Sequence, residues 1–352
     1  MTADGFTIVI GSYLEEEQVR RIAAAQAAGR VIYEPELLPV PRYRCDHTGP
    51  RRDLSRADLD RWRGLGAQAE VYFDFDWLDP GQMTERSPKL RWIQATSAGI
   101  GGFMTRTGLD RAATAGPEPA GLAVTTAAGI HAVPLAEFAL TGALYFVKGL
   151  PELRRRQRER HWERYTTRPL AGLRALVVGL GGIGRQVAAT FAGLDVEVWG
   201  LGRAGRSYDL PALSGVIDRT GLDDALPRTD ILVLACPLTA ETEGLIGARQ
   251  LGLLPDDAIV VNISRGPVVD QAALTGALRD GRLGGACLDV FAEEPLPPGD
   301  PLWELDNVIV SPHSASTVAT ENAALTDLFL DNLARLAAGQ PLRNRYDPVR
   351  GY

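Results

Sequence analysis

Short apolar segments alternate along the chain with longer stretches in which apolar residues recur at helical spacing. The first apolar segment is residues 6–12, FTIVIGS, and residues 174–179, RALVVG, begin a second series. Strands that alternate with helices predict an α/β fold with parallel sheets, whose functional loops follow the strand ends. Further strands are predicted at residues 31–33, 71–75, 90–94, 196–200, 231–235, 259–263, 285–289 and 307–310.

Two helical stretches stand apart from this alternation. Residues 134–164 predict one long helix, apolar in its first half and charged in its second. The last helix, over about residues 318–338, has no following strand, so we expect it to return and pack on the first domain. The length of 352 residues is about twice that of a typical domain and predicts two domains.

Charge and cysteine content exclude several classes of partner. The net charge is -7, and the one basic run, residues 154–164, is interrupted by glutamates, so we expect a solvated helix face and no nucleic-acid partner. Cys45, Cys236 and Cys287 are too widely spaced to indicate a disulfide framework or a metal site. The first residues do not resemble a signal peptide, and no apolar run has membrane-spanning length. We therefore expect a cytoplasmic protein without a membrane partner.

A glycine-rich loop follows the strand at residues 174–179. Residues 179–184, GLGGIG, match the pattern G-x-G-x-x-G. Gly179 permits a tight turn, Gly181 lets backbone N–H groups approach a pyrophosphate, and Gly184 allows close packing of helix and strand. The preceding apolar strand and the following amphipathic helix favour a dinucleotide-binding site over a plain glycine-rich turn.

The end of the next strand bears on the choice of cofactor. Enzymes that use NAD usually carry Asp or Glu there, which bonds the adenosine ribose. This chain has Gly202, followed by Arg203 and Arg206. Guanidinium groups suit a 2′-phosphate, so NADP(H) is favoured and NAD(H) stays possible. The alternative is that both arginines merely face solvent.

Four further segments extend the pattern of the glycine loop. They are residues 237–242, PLTAET; residues 261–266, VNISRG; residues 288–295, LDVFAEEP; and residues 311–313, SPH. Together they resemble the D-isomer-specific 2-hydroxyacid dehydrogenase family, most strongly over residues 90–317. The resemblance is to members of the glyoxylate/hydroxypyruvate reductase kind.

The resemblance implies a discontinuous architecture of two Rossmann-like or flavodoxin-like parallel-sheet domains. Residues 1–128 and 314–352 would form the substrate domain. Residues 129–313 would form the dinucleotide-binding domain, inserted into the first. The active site would lie in the cleft between the domains. A two-fold interface in the apolar part of the 134–164 helix would make the protein a homodimer.

Three residues could carry the reduction of a 2-keto acid to a D-2-hydroxy acid. Arg265 has a planar fork that suits a carboxylate and the adjacent carbonyl oxygen. His313 suits the role of proton donor, and Glu294 would bond the imidazole and favour its charged form. The resemblance assigns the same roles to these positions, although each side chain could instead be structural. Glu294 is preferred to Glu293 because it directly precedes Pro295.

The resemblance also implies further binding residues. The backbone of Ser97, Ala98 and Gly99 would bind the substrate carboxylate, although Gly101 replaces an aspartate that is frequent in the family. His131 and Trp303 are each either pocket residues or packing residues. The cofactor would be lined by Gly179, Gly181, Gly182, Ile183, Gly184, Arg203, Arg206, Cys236, Pro237, Ile263, Ser264, Arg265, Asp289 and His313.

The sequence also allows competing interpretations. Cys236 as a nucleophile is disfavoured because no histidine neighbours it in sequence. Some relatives act as corepressors that sense nicotinamide cofactor, and formate dehydrogenases are related. The complete set of Arg265, Glu294 and His313 favours a keto-acid substrate over formate. The sequence does not identify the side chain of that substrate.

Overall fold

The computed structural model describes residues 5–113 and 121–351. The chain divides into two compact units. The first unit comprises Met1–His131 and Thr317–Tyr352, and the second comprises Ala132–Ser316. The chain therefore passes from the first unit into the second and back again.

A five-stranded parallel sheet forms the centre of the first unit, with strand order β2-β1-β3-β4-β5. Its strands are β1 (Phe6–Ile10), β2 (Ala28–Ile32), β3 (Val71–Phe73), β4 (Trp92–Gln94) and β5 (Ala123–Thr125). Its helices are α1 (Glu16–Ala23), α2 (Arg56–Gly66), α3 (Met83–Arg86), α4 (Gly101–Thr107) and α11 (Glu321–Ala337).

The last helix, α11, packs on this sheet through aromatic contacts. Phe329 stacks on Trp92 of β4 with ring centroids 4.8 Å apart, and its ring lies 5.4 Å from that of Phe73. Leu325 and Leu333 are buried in the same core. The helix that the sequence leaves without a following strand thus completes the first unit.

A seven-stranded parallel sheet forms the second unit, in the order β12-β11-β10-β9-β6-β7-β8. The strand order reverses between β6 and β9, which makes this a doubly wound sheet. The strands are β6 (Arg174–Val178), β7 (Glu197–Leu201), β8 (Gly215–Ile217), β9 (Ile231–Leu234), β10 (Ile259–Asn262), β11 (Gly285–Leu288) and β12 (Val308–Val310). The helices are α5 (Ala132–Val147), α6 (Leu150–Glu159), α7 (Gly182–Ala192), α8 (Leu222–Ala225), α9 (Ala248–Leu253) and α10 (Gln271–Arg279).

The prediction of one helix over residues 134–164 is wrong. The segment forms α5 and α6, which meet at an angle of 57°. Gly149 adopts a left-handed conformation with φ 63°, and Pro151 is the second residue of the next helix, so the α-helical ladder cannot continue through them.

The apolar half of the segment is explained by packing within the second unit. Leu135, Ala139 and Val147 of α5 are buried in the core with Phe191 of α7. This packing accounts for the apolar composition of α5 without a partner chain. The homodimer stays a prediction. Within the described residues, no single helix is long and apolar enough to cross a membrane.

Candidate active site

The glycine loop of the second unit joins β6 to α7 in the predicted strand–turn–helix arrangement. Gly179 has φ 97°, and a Cβ there would lie 2.7 Å from Cα of Cys236. A Cβ on Gly184 would lie 1.8 Å from the carbonyl oxygen of Gly179. By contrast, a Cβ on Gly181 would meet no atom within 4 Å. Gly179 and Gly184 thus allow close packing, while Gly181 leaves an open face at the start of α7.

The end of β7 is shaped by a residue that sequence reasoning missed. A Cβ on Gly202 would lie 2.4 Å from the ring of Tyr208, so this ring occupies the place of a longer side chain. The Tyr208 hydroxyl accepts a hydrogen bond of 3.0 Å from the backbone N–H of Arg203. The guanidinium of Arg206 lies 5.4 Å from the Tyr208 ring centroid, and both arginines are exposed. Tyr208 therefore organises the segment that carries both arginines.

Arg265 follows β10 in a turn held by Asn262. The Asn262 side chain accepts hydrogen bonds from the N–H and hydroxyl of Ser264, and its amide donates to the carbonyl of Arg265 at 3.3 Å. The Arg265 guanidinium donates to the carbonyl of Ser264 at 2.7 Å. Burial lowers the pKa of Arg265, while the negative charges of Glu294 and Asp289 oppose that shift.

Gly266 brings the Glu294 segment close to this turn. A Cβ on Gly266 would lie 1.9 Å from the carbonyl carbon of Phe291. Because only glycine permits this approach, the segment after β11 packs directly against the turn that carries Arg265. The sequence contains Gly266, but its role depends on a contact 25 residues further along the chain.

Glu294 and His313 form a hydrogen-bonded pair. The distance from Nδ1 of His313 to Oε2 of Glu294 is 2.8 Å, with side-chain exposures of 44% and 35%. The other carboxylate oxygen of Glu294 accepts a hydrogen bond from the N–H of Phe291 at 2.9 Å. Burial alone would raise the pKa of Glu294, but the bonds from His313 and Phe291 and the nearby positive charges bring it below its ordinary value.

Asp289 fixes the segment that carries His313. Its carboxylate accepts hydrogen bonds from the hydroxyl of Ser311 at 2.6 Å and from the N–H groups of Ser314 and Ala315 at 2.9 Å each. Burial raises the pKa of Asp289, and these bonds oppose the shift. His313 has φ 54°, which is uncommon for a residue other than glycine. The bonds from Ser311 and Ser314 to Asp289 hold the chain on both sides of it.

The other residues predicted to line the cofactor also belong to the second unit. Cys236, Ile263 and Ser264 are buried after their strands. Burial raises the pKa of Cys236 to about 11, which keeps the thiol protonated at neutral pH and argues against a nucleophilic role. The carbonyl of Pro237 accepts a hydrogen bond of 2.6 Å from Thr242, which closes the turn after β9.

The predicted substrate loop, Ser97, Ala98 and Gly99, lies in the first unit between β4 and α4. The carbonyl of Ser97 accepts a hydrogen bond from the N–H of Ala127 at 3.0 Å, and Ser97 and Gly99 are exposed. A Cβ on Gly101 would lie 2.1 Å from the carbonyl oxygen of Gly351. The C-terminal segment therefore passes directly over Gly101 and leaves no room for a side chain there.

Two residues with undecided roles take different positions. In the first unit, Nε2 of His131 lies 3.2 Å from Oε1 of Glu321, and both residues are buried. This pairing favours a packing role for His131. In the second unit, Trp303 is 51% exposed, and its indole N–H donates to the carbonyl of Pro297 at 2.9 Å.

Comparison with known proteins identifies relatives of the chain. A glyoxylate reductase from Korarchaeum cryptofilum is 32% identical over 314 residues, which is 83% of this chain and 91% of that protein. The chain spans between 42% and 91% of the length of the first curated relatives that it matches.

Solved structures share the fold across nearly the whole chain. A D-isomer specific 2-hydroxyacid dehydrogenase from Xanthobacter autotrophicus Py2, in complex with NADPH and MES, has a TM-score of 0.76 at 31% identity and covers 99% of this chain and all of its own. An NADPH-dependent glyoxylate/hydroxypyruvate reductase from Sinorhizobium meliloti, in complex with NADP and sulfate, has a TM-score of 0.75 at 25% identity with the same coverage.

The sequence family described as "D-isomer specific 2-hydroxyacid dehydrogenase, NAD binding domain" matches residues 140–315, which fall within the second unit. The glycine loop, Arg265, Glu294 and His313 all lie in the matched segment. The chain belongs to the D-isomer-specific 2-hydroxyacid dehydrogenases, a family of NAD(P)-dependent oxidoreductases.

Proposed function

We propose that the protein reduces small 2-keto acids to D-2-hydroxy acids with NADPH. The observation that carries this proposal is the Glu294–His313 pair, which lies with Arg265 after three neighbouring strands of one parallel sheet. Carboxyl ends of neighbouring parallel strands share one edge of a sheet, where ligands of doubly wound folds bind. The names of the relatives from Korarchaeum and Sinorhizobium support glyoxylate or hydroxypyruvate as substrate.

The residues of the second unit fit a bound dinucleotide. The open face of Gly181 at the start of α7 would receive the pyrophosphate against backbone N–H groups. Arg203 and Arg206 would receive the 2′-phosphate, because the Tyr208 ring leaves no room for a carboxylate on residue 202. NADPH bound there would supply a hydride. NAD(H) would lose the contact to the arginines and bind less tightly.

His313 would supply the proton. Its Nδ1 faces the Glu294 carboxylate, which only accepts hydrogen bonds, so Nδ1 carries a hydrogen. When the ring is protonated, the second hydrogen resides on Nε2. Nε2 is therefore the atom that would donate a proton to the ketone oxygen of the substrate. Asp289 would act through the segment it anchors, by keeping the imidazole in place.

Arg265 would bind the substrate. Its planar guanidinium can hold a carboxylate oxygen and the neighbouring ketone oxygen at once, which fixes the planar keto acid and polarises its carbonyl. Partial burial strengthens these interactions because water competes less for them. In the first unit, the backbone of Ser97, Ala98 and Gly99 would bind a carboxylate, since small residues let a ligand approach the main chain.

A substrate screen tests the proposal. Purified protein is assayed for oxidation of NADPH and NADH with glyoxylate, hydroxypyruvate, pyruvate and phenylpyruvate, and the chirality of the product is determined. We expect turnover of at least one keto acid, a D-configured product where C2 is chiral, and a preference for NADPH. Formate-dependent reduction of NADP⁺ without any keto-acid turnover, or cofactor binding without any turnover, would contradict the proposal.

A further inference from the structure

The end of β7 lies directly beside the glycine loop in the second unit. Val178 of β6 is paired with Leu201 of β7, and the N–H of Gly179 donates a hydrogen bond of 3.0 Å to the carbonyl of Leu201. The N–H of Gly202 donates to the carbonyl of Ile217 in β8 at 2.9 Å. A dinucleotide whose pyrophosphate lies at the glycine loop places its adenosine ribose at the end of this strand. The strand end that meets the ribose is therefore fixed from both sides.

The segment after Gly202 is a tight turn that carries two arginines. The N–H of Arg206 donates to the carbonyl of Arg203 at 3.3 Å, and Gly205 has φ 73° within the turn. Residues 202–208 contain no acidic residue. All four residues of the turn, 203–206, are exposed, so burial contributes little to their order. The position of the arginines therefore depends on what the neighbouring side chains hold.

Tyr208, which is partly buried, makes three contacts to this segment. Its ring lies over the strand end, where a Cβ on Gly202 would be 2.4 Å from Cε2 of the ring. Its hydroxyl oxygen accepts the hydrogen bond from the N–H of Arg203 at 3.0 Å. Its ring centroid lies 5.4 Å from the guanidinium carbon of Arg206, within the range of a cation–π interaction. One side chain thus contacts the strand end and both arginines.

We infer that Tyr208 is a positioning residue for recognition of the 2′-phosphate of NADPH. This inference rests on the cofactor preference in the proposed function. With the Tyr208 ring in place, residue 202 cannot carry the carboxylate that would bond the ribose hydroxyls of NAD(H) and repel a phosphate. The ring and its hydroxyl also hold the turn, so that two guanidinium groups are preorganised for a phosphate before it binds. Tyr208 therefore links the exclusion of an acid to the placement of two cations.

This linkage makes Gly202 and Tyr208 depend on each other. Gly202→Ala adds no charge, but its Cβ displaces the Tyr208 ring and with it the hydroxyl that bonds the N–H of Arg203. The substitution should therefore weaken the preference for NADPH when Tyr208 is present. Once Tyr208 is replaced by alanine, Gly202→Ala should have little further effect. Such non-additivity is expected of two residues that act through one contact.

Cofactor binding without turnover tests the inference. The quantity measured is the ratio of the Kd for NADH to the Kd for NADPH, from fluorescence titration of the purified protein with each cofactor. Tyr208→Phe keeps the ring and removes the hydroxyl, so it should lower the ratio about 2–10-fold, the effect of one neutral hydrogen bond. Tyr208→Ala removes all three contacts and should lower the ratio about 5–50-fold. The Kd for NADH should change little in either variant, whereas a general loss of structure would weaken the binding of both cofactors.

Tyr165 offers a matched control in the same unit. It is also partly buried, the guanidinium carbon of Arg156 lies 4.7 Å from its ring centroid, and its hydroxyl donates to the carbonyl of Gly149 at 3.5 Å. Tyr165→Phe and Tyr165→Ala remove the same kinds of contact away from the end of β7. Both variants should leave the ratio of the two Kd values unchanged.

The outcomes separate this inference from the proposed function. An unchanged ratio in folded Tyr208→Ala, or an equal effect of Gly202→Ala with and without Tyr208, would overturn the inference and leave the NADPH preference standing. If Tyr208→Ala does not fold, Tyr208→Phe decides by the same ratio. Tighter binding of NADH than of NADPH by the wild-type protein would overturn both the preference and the inference. Absence of keto-acid turnover would overturn the proposed reduction alone, because the binding measurement contains no keto acid.

Discussion

Nδ1 of His313 and Oε2 of Glu294 lie 2.8 Å apart, and the same carboxylate is held by the N–H of Phe291. The carboxylate is thus oriented from one side and directs the imidazole from the other. Under the proposed function, this relationship leaves Nε2 of His313 for the substrate, and Glu294 would act through its charge.

Replacing that charge should slow the reduction. In Glu294→Gln we expect kcat/KM for the keto acid to fall about 10–100-fold, because a charge-assisted hydrogen bond is lost. Glu293→Gln is the control, because Glu293 is exposed and the carboxylate that bonds His313 belongs to Glu294.

The lowered pKa of Glu294 predicts the pH at which the Glu294–His313 pair is lost on the acid side of the pH–rate profile. A carboxyl group whose pKa is lowered on folding keeps its interaction above its ordinary value, here 4.5, and loses it as the pH falls through the lowered value. We expect the wild-type Glu294–His313 pair to persist down to about pH 4.5. An acid decline in kcat/KM that begins near neutral pH and is abolished by Glu294→Gln would contradict this assignment.

Cofactor preference should depend on the arginines after β7. Arg203→Ala should lower the ratio of kcat/KM for NADPH to that for NADH about 10–100-fold, because one charge-assisted bond to the 2′-phosphate is removed. The efficiency with NADH should change little. Arg249→Ala removes an exposed arginine paired with Asp223 and serves as control. A wild-type preference for NADH would contradict a 2′-phosphate contact by these arginines.

The C-terminal segment should be sensitive to residue 101. Gly101→Ala places a Cβ 2.1 Å from the carbonyl oxygen of Gly351, so the segment must shift. We expect a loss of about 1–3 kcal/mol in the free energy of unfolding, as for other overpacked positions. Gly102→Ala is the matched control, because its Cβ would meet only the end of the Arg106 side chain, at 3.5 Å. Equal stability of both variants in chemical denaturation would refute the packing argument.

The parts of the site that the sequence predicts are those encoded in short, contiguous patterns. The glycine loop needs only a strand before it and a helix after it, and both have clear apolar periodicity. Arg265 and His313 each follow directly after an apolar strand, so their place at a sheet edge can be predicted without knowing what they contact.

The parts that escape prediction depend on contacts between distant residues. Nothing in the sequence near Gly101 indicates that Gly351 lies over it, and the contact of Gly266 with Phe291 joins residues that are 25 positions apart. The break at Gly149 is different, because Gly149 followed by Pro151 is a recognisable signal that a helix ends. The long apolar run before Gly149 obscured that signal.

The most direct test of the account is the turnover of His313→Gln. Keto-acid reduction is measured by oxidation of NADPH, and cofactor binding is measured separately by fluorescence of the bound nicotinamide. If His313 donates the proton through Nε2, kcat should fall about 10²–10⁴-fold while the affinity for NADPH stays close to that of the wild-type protein. A variant that binds NADPH and reduces the keto acid at a near wild-type rate would contradict the central claim.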